Sequence, residues 1–390
     1  MATIFFAVLF LLTLAVHAED AVIGGRDKPV AEAKADTAKA DVGGNQIDLV
    51  FVLDSTGSMS NLIEGAKDKI WSIANSMITL PSKPTIRIGL LTYRDRGDDY
   101  VTKLFDLTDD IDKVFANLKL VTATGGGDLP ESVNQALDEA VNKMSWDKTN
   151  ANTYRVIFLV GDAPPHMDYV DDVKYHVTCD KAAETGIVIN TIQCGNIAEC
   201  TTFWQEIAKK SEGEFVKIAQ SGDVKVVATP FDAEIKKLTG ELNKTVVTYG
   251  KESVRQSVLE KLNYASNSKA EVQADRAEFN LMTKGKAIQG EGDLVADIES
   301  GKTKLGTLKD SELPPTLRDK NSEEKENYIK NMTEKRNEIN KKIAEQVKLR
   351  NEWLENEKKK DKKNNTKNSF DSRVQTVIEN QSKKIFNKND

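Results

Sequence analysis

Ile47-Asp48-Leu49-Val50-Phe51-Val52-Leu53 runs directly into Asp54-Ser55-Thr56-Gly57-Ser58, and this junction decides the fold. The first seven residues are β-branched and almost continuously apolar, as expected of a strand buried on both faces. After the polar turn, Leu62, Ile63, Ala66, Ile70, Ile73 and Ala74 recur at helical spacing. The same alternation continues down the chain. Thr85–Thr92, Tyr154–Val160, Gly186–Gln193 and Glu214–Ala219 read as strands. Ile111–Leu118, Ser132–Val141, Phe203–Ala208 and Phe231–Leu242 read as helices. Strands alternating with helices predict an α/β, doubly wound, mostly parallel sheet covered on both faces. Ligands of such sheets bind beyond the carboxyl ends of the strands. That directs attention to the loops beginning at Asp54, Thr124 and Asp162.

Those loops share a chemistry. Asp54, Thr56 and Ser58 place one carboxylate and two hydroxyls at every second residue of a strand-to-helix turn. Thr122-Ala123-Thr124-Gly125-Gly126-Gly127-Asp128 adds hydroxyls and a carboxylate on a glycine-rich bend, and Asp162 ends a strand. Every donor is a hard oxygen, which suits Mg²⁺ or Mn²⁺ in near-octahedral geometry. Two carboxylates diluted by hydroxyls leave the cation underneutralised, so an open position would attract a carboxylate from outside. A single such turn is explained as well by helix N-capping, for which Asp, Ser and Thr are favoured. Three of them at strand ends in one domain outweigh that explanation.

The stretch from about Ile47 to Gly250 resembles the von Willebrand factor type A (vWA) domain. Asp54, Thr56 and Ser58 match the first element of its metal-ion-dependent adhesion site, and Asp162 matches the last. Tyr93-Arg94-Asp95-Arg96-Gly97-Asp98, Gly125-Gly126-Gly127-Asp128-Leu129-Pro130-Glu131 and Val160-Gly161-Asp162-Ala163-Pro164-Pro165-His166 resemble a secreted, mostly bacterial branch. The middle element departs from the usual pattern, a Thr directly before the third helix. Here Thr124 is followed by three glycines and Asp128, so both are candidate ligands, Thr124 the first choice. The resemblance implies a noncatalytic module that bridges through a metal to a protein ligand presenting Asp or Glu.

Sharper readings of other motifs give way to plainer ones. Arg96-Gly97-Asp98, an integrin-type tripeptide, lies in a loop of alternating charge and reads as a polar turn. Ala296–Thr303 loosely fits a phosphate loop, but Asp297 and Glu299 would repel phosphate and a helical pattern overlaps it. His166, Asp168, Asp171, Asp172 and His176 invite a second metal site or acid–base chemistry. No hydrolase or zinc-protease motif accompanies them, so Pro164-Pro165 is read as shaping the loop. The three acids then favour the start of the next helix, and His166 lines the rim of the ligand surface. Cys179, Cys194 and Cys200 allow at most one internal disulfide. Cys194–Cys200 is a short loop closure, and Cys179 can pair with either.

The flanks complete the organisation. Residues 1–18 read as a signal peptide: Ile4–Val16 is uncharged and apolar, and Val16-His17-Ala18 is a small-x-small cleavage pattern. The mature protein is then secreted, or periplasmic in a Gram-negative source. Residues 19–45 read as a flexible linker, 46–250 as the vWA domain and 251–319 as helical. Residues 320–390 form a long basic helix or coiled coil and tail. Within 251–319, Val254, Val258, Leu259 and Leu262 begin a helix that Val272–Phe279 continues, and Leu294 and Val295 open a short one. The 390 residues carry a net charge of −6, but Lys320–Asp390 holds 19 basic and 13 acidic residues. An acidic body argues against nucleic acid as partner, and Lys358–Lys363 reads as a solvated helix end rather than a membrane contact. From Ser322 to Lys360 neither Pro nor Gly intervenes. The stripe Ile329, Met332, Ile339, Ile343, Val347 and Leu354, with Arg336 and Arg350 in its gaps, suits a helix packed on one neighbour or a weak coiled coil that makes a homo-oligomer. The expected function is metal-dependent protein binding or adhesion, not catalysis. The rival is a structural or envelope-assembly protein that acts through the C-terminal helices and keeps a vestigial metal site.

Overall fold

The computed structural model describes residues 43–360 and 368–386. The signal-peptide reading, the linker up to residue 42, and Asp361–Lys363 of the lysine cluster lie outside them. In chain order the elements of the α/β part are β1 (Gln46–Asp54), α1 (Ser60–Ile78), β2 (Thr85–Tyr93), β3 (Thr102–Thr108), α2 (Ile111–Leu120), α3 (Val133–Lys143), β4 (Thr153–Gly161), α4 (Tyr175–Glu184), β5 (Ile187–Cys194), α5 (Ala198–Lys210), β6 (Phe215–Ile218) and α6 (Asp232–Asn243). The helical part adds α7 (Glu252–Ser266), α8 (Ala270–Met282), α9 (Leu294–Glu299), α10 (Pro315–Arg318), α11 (Ser322–Lys360) and α12 (Phe370–Phe386).

The sheet order is β3-β2-β1-β4-β5-β6. All neighbours are parallel except β3, which runs antiparallel to β2 at the edge. This is the doubly wound sheet read from the sequence, with β3 added. The expectation missed β3 because its short stretch has mixed burial and charged residues, Lys103 and Asp106, typical of a protected edge. From β1, one crossover leads to β2 and the next neighbour on the other side is β4, so the strand order switches beside Asp54. The carboxyl ends of β1 and β4 therefore open a crevice.

Each face of the sheet has its own core. Phe51, Leu53, Phe158 and Val160 pack with Trp71 and Met77 of α1, Phe115 of α2 and Phe279 of α8. Val50, Val52, Ile157 and Leu159 face Leu137 of α3, Tyr175 of α4 and Trp204 of α5. The two faces also separate the cysteines. Cys194 belongs to the first core and Cys179 and Cys200 to the second, all buried as free thiols. The Cys194–Cys200 bridge suggested by spacing is not formed, since alternation along β5 turns Cys194 to the face opposite α5. Burial pushes the Cys179 thiol up to about 12.

The last described helix was not foreseen. α12 returns to the sheet, where Phe370, Val374, Val377 and Ile378 join the first core. Its Gln381 exchanges hydrogen bonds with Asn190 of β5 (2.8 and 3.0 Å) and accepts one from Tyr154 of β4. Between these ends, α7 and α8 are separate helices broken at Asn267–Lys269, not one continued helix. α11 has the expected bounds, and Ile339, Ile343 and Val347 pack against α6 and α8 of the same chain. Arg336 and Arg350, which interrupt the stripe, are buried in ion pairs with Asp293 and with Asp232 and Asp275. This part of the stripe is thus covered by the helix's own chain. Among the described residues, no helix is long and apolar enough to cross a membrane.

Candidate metal centre

Asp54 ends the central strand and is fully buried. Its Oδ1 accepts from the Thr56 backbone N–H (2.9 Å) and from Thr56 Oγ1 (2.7 Å). That closes an Asx turn, which bends the chain from strand into a short 3₁₀ turn and then α1. The capping explanation uses only this oxygen. Asp54 Oδ2 is buried without a hydrogen-bond partner, and no side chain caps α1. Thr56 Oγ1 lies 3.4 Å from Ser58 Oγ, and Ser58 is exposed.

Asp162 follows β4, the strand beside β1, so its carboxylate reaches the same end of the sheet. Gln220, after β6, donates to Asp162 Oδ2 at 2.6 Å. The close approach depends on Gly161: a Cβ there would lie 2.6 Å from the Tyr93 hydroxyl and 3.0 Å from Asp54 Cβ. Gly125 and Gly126 have φ of +83° and +87°, conformations that favour glycine. They fold the third loop over Thr56, where the Gly57 N–H donates to the Gly125 carbonyl (3.2 Å) and the Gly126 N–H to Asp98 Oδ2 (3.1 Å).

Thr56, Ser58, Asp128, Glu131 and Asp162 line one cleft of roughly 220 Å³, with Asp54 beneath it. Thr124 is exposed and is not among its lining residues; its backbone N–H donates to the Ser55 carbonyl. The residue that sequence reasoning passed over is Glu131. It is 3 % exposed, and its Oε2 has no partner. Its only signal was the Leu129-Pro130-Glu131 end of a motif in which Asp128 drew the attention.

The electrostatics are those of a site that lacks positive charge. Burial, then the charge of Asp162, pushes the Asp54 carboxyl up to about 7, against the hydrogen bonds from Thr56. Burial pushes Glu131 up to about 9, helped by Asp54, Asp95, Asp98 and Asp162. Buried carboxylates whose oxygens go unpaired are costly unless a cation joins them. Two orphaned carboxylate oxygens beside two hydroxyls therefore fit a hard divalent cation such as Mg²⁺ or Mn²⁺.

The neighbouring loop departs further from expectation. His166 is not on an open rim but is 5 % exposed, stacked on Tyr169 with ring centroids 4.0 Å apart. Its Nδ1 is 2.8 Å from Asp168 Oδ1. Asp171 and Asp172 do not start a helix. They bind Arg96, whose guanidinium also covers the Tyr169 ring, and α4 begins only at Tyr175. His176, on α4, is exposed. Arg96-Gly97-Asp98 is accordingly an internal turn, tied at both ends. Ala296–Thr303 overlaps α9 and is no phosphate loop.

Residues 48–229 match the family model of the von Willebrand factor A domain. Among curated proteins, the chain is 21% identical over 265 residues to a putative ariadne-like RING finger protein of Acanthamoeba polyphaga mimivirus, covering 61% of this chain and 25% of that protein. It is 28% identical over 145 residues to the alpha-protein kinase vwkA of Dictyostelium discoideum, covering 37% and 22%. The chain thus spans about a quarter of the length of the curated relatives it matches. Solved structures that resemble it include the SpRpn10 VWA domain (16% identity, TM-score 0.35, 46% of this chain and 91% of that one). Another is proximal thread matrix protein 1 of the mussel byssus with a zinc-occupied MIDAS motif (17%, TM-score 0.36, 45% and 42%).

Proposed function

We propose that the von Willebrand factor A domain of this chain is a noncatalytic protein-binding module of an exported protein, and that its grip on the partner runs through a divalent cation. Asp54, Thr56, Ser58 and Asp162 would hold Mg²⁺ or Mn²⁺, with Glu131 in the role expected of Thr124 or Asp128. A carboxylate from the partner's Asp or Glu would take the coordination position that faces out of the cleft, where Ser58 and Asp128 are exposed. The observation that carries this reading is the pair of buried, unpartnered oxygens, Asp54 Oδ2 and Glu131 Oε2, at one cleft. The export half rests on the apolar run Ile4–Val16 and the pattern after it.

Isothermal titration of the full chain with Mg²⁺ and Mn²⁺ tests it. Wild type should give a saturable heat that Asp54→Ala abolishes. A flat trace for wild type would sink the metal-bridge model. A carboxylate-bearing partner should then be retained on the immobilised protein in Mg²⁺ and released by EDTA.

A further inference from the structure

A second cluster lies beside the cleft, made by three loops that are far apart in sequence. Asp95 follows β2, Asp128 lies in the glycine loop, and His166 lies in the loop after β4. One ligand atom from each falls within 4.8 Å of the other two. His166 Nε2 is 3.2 Å from Asp95 Oδ2 and 3.9 Å from Asp128 Oδ1, yet it hydrogen-bonds to neither. The ring is clamped by its stacking on Tyr169 and by Asp168 at Nδ1. A proton on Nδ1, given to Asp168, leaves Nε2 as a lone pair facing two carboxylates. Three concentrations of negative charge then meet with nothing between them, and a cation resolves that conflict.

The remaining contacts are those of a prepared site. Asp95 is 6 % exposed and is oriented by the hydroxyls of Ser132 (2.9 Å) and Tyr169 (2.9 and 3.1 Å). The Asp168–His166 pair repeats the way metal-ligating imidazoles are held, by a carboxylate on the other ring nitrogen. Asp128 is exposed, so it can swing inward to the spacing of about 3.3 Å that bonds of about 2.0–2.1 Å require in a tetrahedral site.

We infer that Asp95, Asp128 and His166 form a second metal site, separate from the oxygen-only centre at Asp54, which takes a transition-metal dication of the Zn²⁺ kind. An imidazole donor and two carboxylates favour Zn²⁺ over Mg²⁺, whereas the centre at Asp54 offers oxygen alone. Three protein ligands and an exposed side leave a coordination position open to solvent or to a partner's group. The site borders the cleft through Asp128, so a partner bound across both would meet two ions of different preference.

The test uses the full chain, stripped with chelator and kept in excess Mg²⁺, with Zn²⁺ titrated against a chromophoric chelator. Wild type should bind one equivalent. His166→Ala should weaken that binding at least a hundredfold, and Asp168→Asn, which only frees the ring, ten- to a hundredfold. Asp128→Asn alters an exposed side chain, so the fold is kept, and should cost at least tenfold. Co²⁺ in place of Zn²⁺ should give visible absorption bands that His166→Ala removes. Asp54→Ala should keep the Zn²⁺ equivalent while losing the response to Mg²⁺, which separates this site from the proposed adhesion centre. Unchanged Zn²⁺ affinity in both His166→Ala and Asp128→Asn would overturn the proposal. So would loss of Zn²⁺ in Asp54→Ala alone. Absence of Zn²⁺ binding by wild type would overturn it as well.

Discussion

Buried acids are handled in opposite ways at the two sides of this molecule. In the helical part and where it packs on the sheet part, five buried or nearly buried acids are each met by a cation from α7, α8 or α11. Asp112 of α2 receives Arg276 of α8 at 2.6 and 3.0 Å, with both side chains 1% exposed. Asp110 faces Lys261 at 2.8 Å, Asp293 faces Arg336 at 2.8 Å, and Asp232 and Asp275 share Arg350, each at 2.8 Å. At the carboxyl ends of the strands, Glu131 and Asp162 line a cleft with Asp54 beneath it, and among the described residues no Lys or Arg lines that cleft. A chain that meets five acids with three arginines and a lysine has the means to do the same here. On the proposed reading, leaving the loop face short of positive charge reserves the place for an ion from outside. Structural acids and site acids are thus told apart by whether the chain supplies their counter-charge.

The comparison breaks most visibly if one partner of a structural pair is removed. Arg276→Met leaves Asp112 buried with the Gln289 N–H but without its cation. The expected loss is about 3–5 kcal/mol in urea unfolding. Adding Asp112→Leu should recover most of it, since an apolar pair avoids the desolvation of both charges. Recovery would confirm that the bond fastens α8 to the sheet part without any further role.

At the loop face the sign should reverse. Asp54→Asn keeps the Oδ1 acceptor for Thr56 and removes a buried charge with which no Lys or Arg among the described residues pairs. In EDTA at pH 8 the variant should be more stable than wild type, by about 1–3 kcal/mol on the scale of its raised pKa. In saturating Mg²⁺ wild type should overtake it, because a ligand at a hundred times its Kd adds about 2.7 kcal/mol. A destabilised Asp54→Asn in EDTA would place Asp54 with the structural acids.

Protons and metal should compete for the same oxygens. With Asp54 at about 7 and Glu131 at about 9, the metal-free site holds protons at neutral pH that a cation must displace. Apparent Mg²⁺ affinity should rise with pH, approaching tenfold per unit for each proton displaced, and level off as pH passes the higher value. Without metal the sign is opposite. Raised carboxyl pKa values mean the folded state binds more protons than the unfolded one, so stability present at low pH is lost as pH climbs through about 7 for Asp54 and about 9 for Glu131. Titrations between pH 5.5 and 9, with and without EDTA, give both slopes.

How much of this was legible follows from the range over which residues act. The strand β1, its Asp54 turn and the alternation after it are local patterns, and the sheet and its switch point follow from them. The long helix was equally local, with Ser322–Lys360 free of breakers. What escaped depends on partners distant in sequence. Arg336 and Arg350 looked like interruptions in an apolar stripe, because Asp293 and Asp232 lie 43 and 118 residues away. Glu131 and the Asp95–Asp128–His166 cluster are assembled from separate loops that only the completed sheet brings together. His166 was noticed, but it was grouped with the acids next to it in sequence rather than with those next to it in space.

The smallest effect expected bears on what the helical part does for other molecules. If α11 carried an oligomer seam, it would have to be built from apolar residues its own chain leaves exposed, and Leu349 is one of these, at 43%. The stripe itself is spent on α6 and α8, where Ile339, Ile343 and Val347 are 1–7% exposed. A single half-exposed leucine beside charged residues is ordinary surface, whose replacement changes stability within about 0.5 kcal/mol. Leu349→Lys should therefore leave both the urea midpoint and the sedimentation mass unchanged. A fall in mass would give the helix a second face in use, and would make the helical part an assembly element as well as a fastening for the sheet.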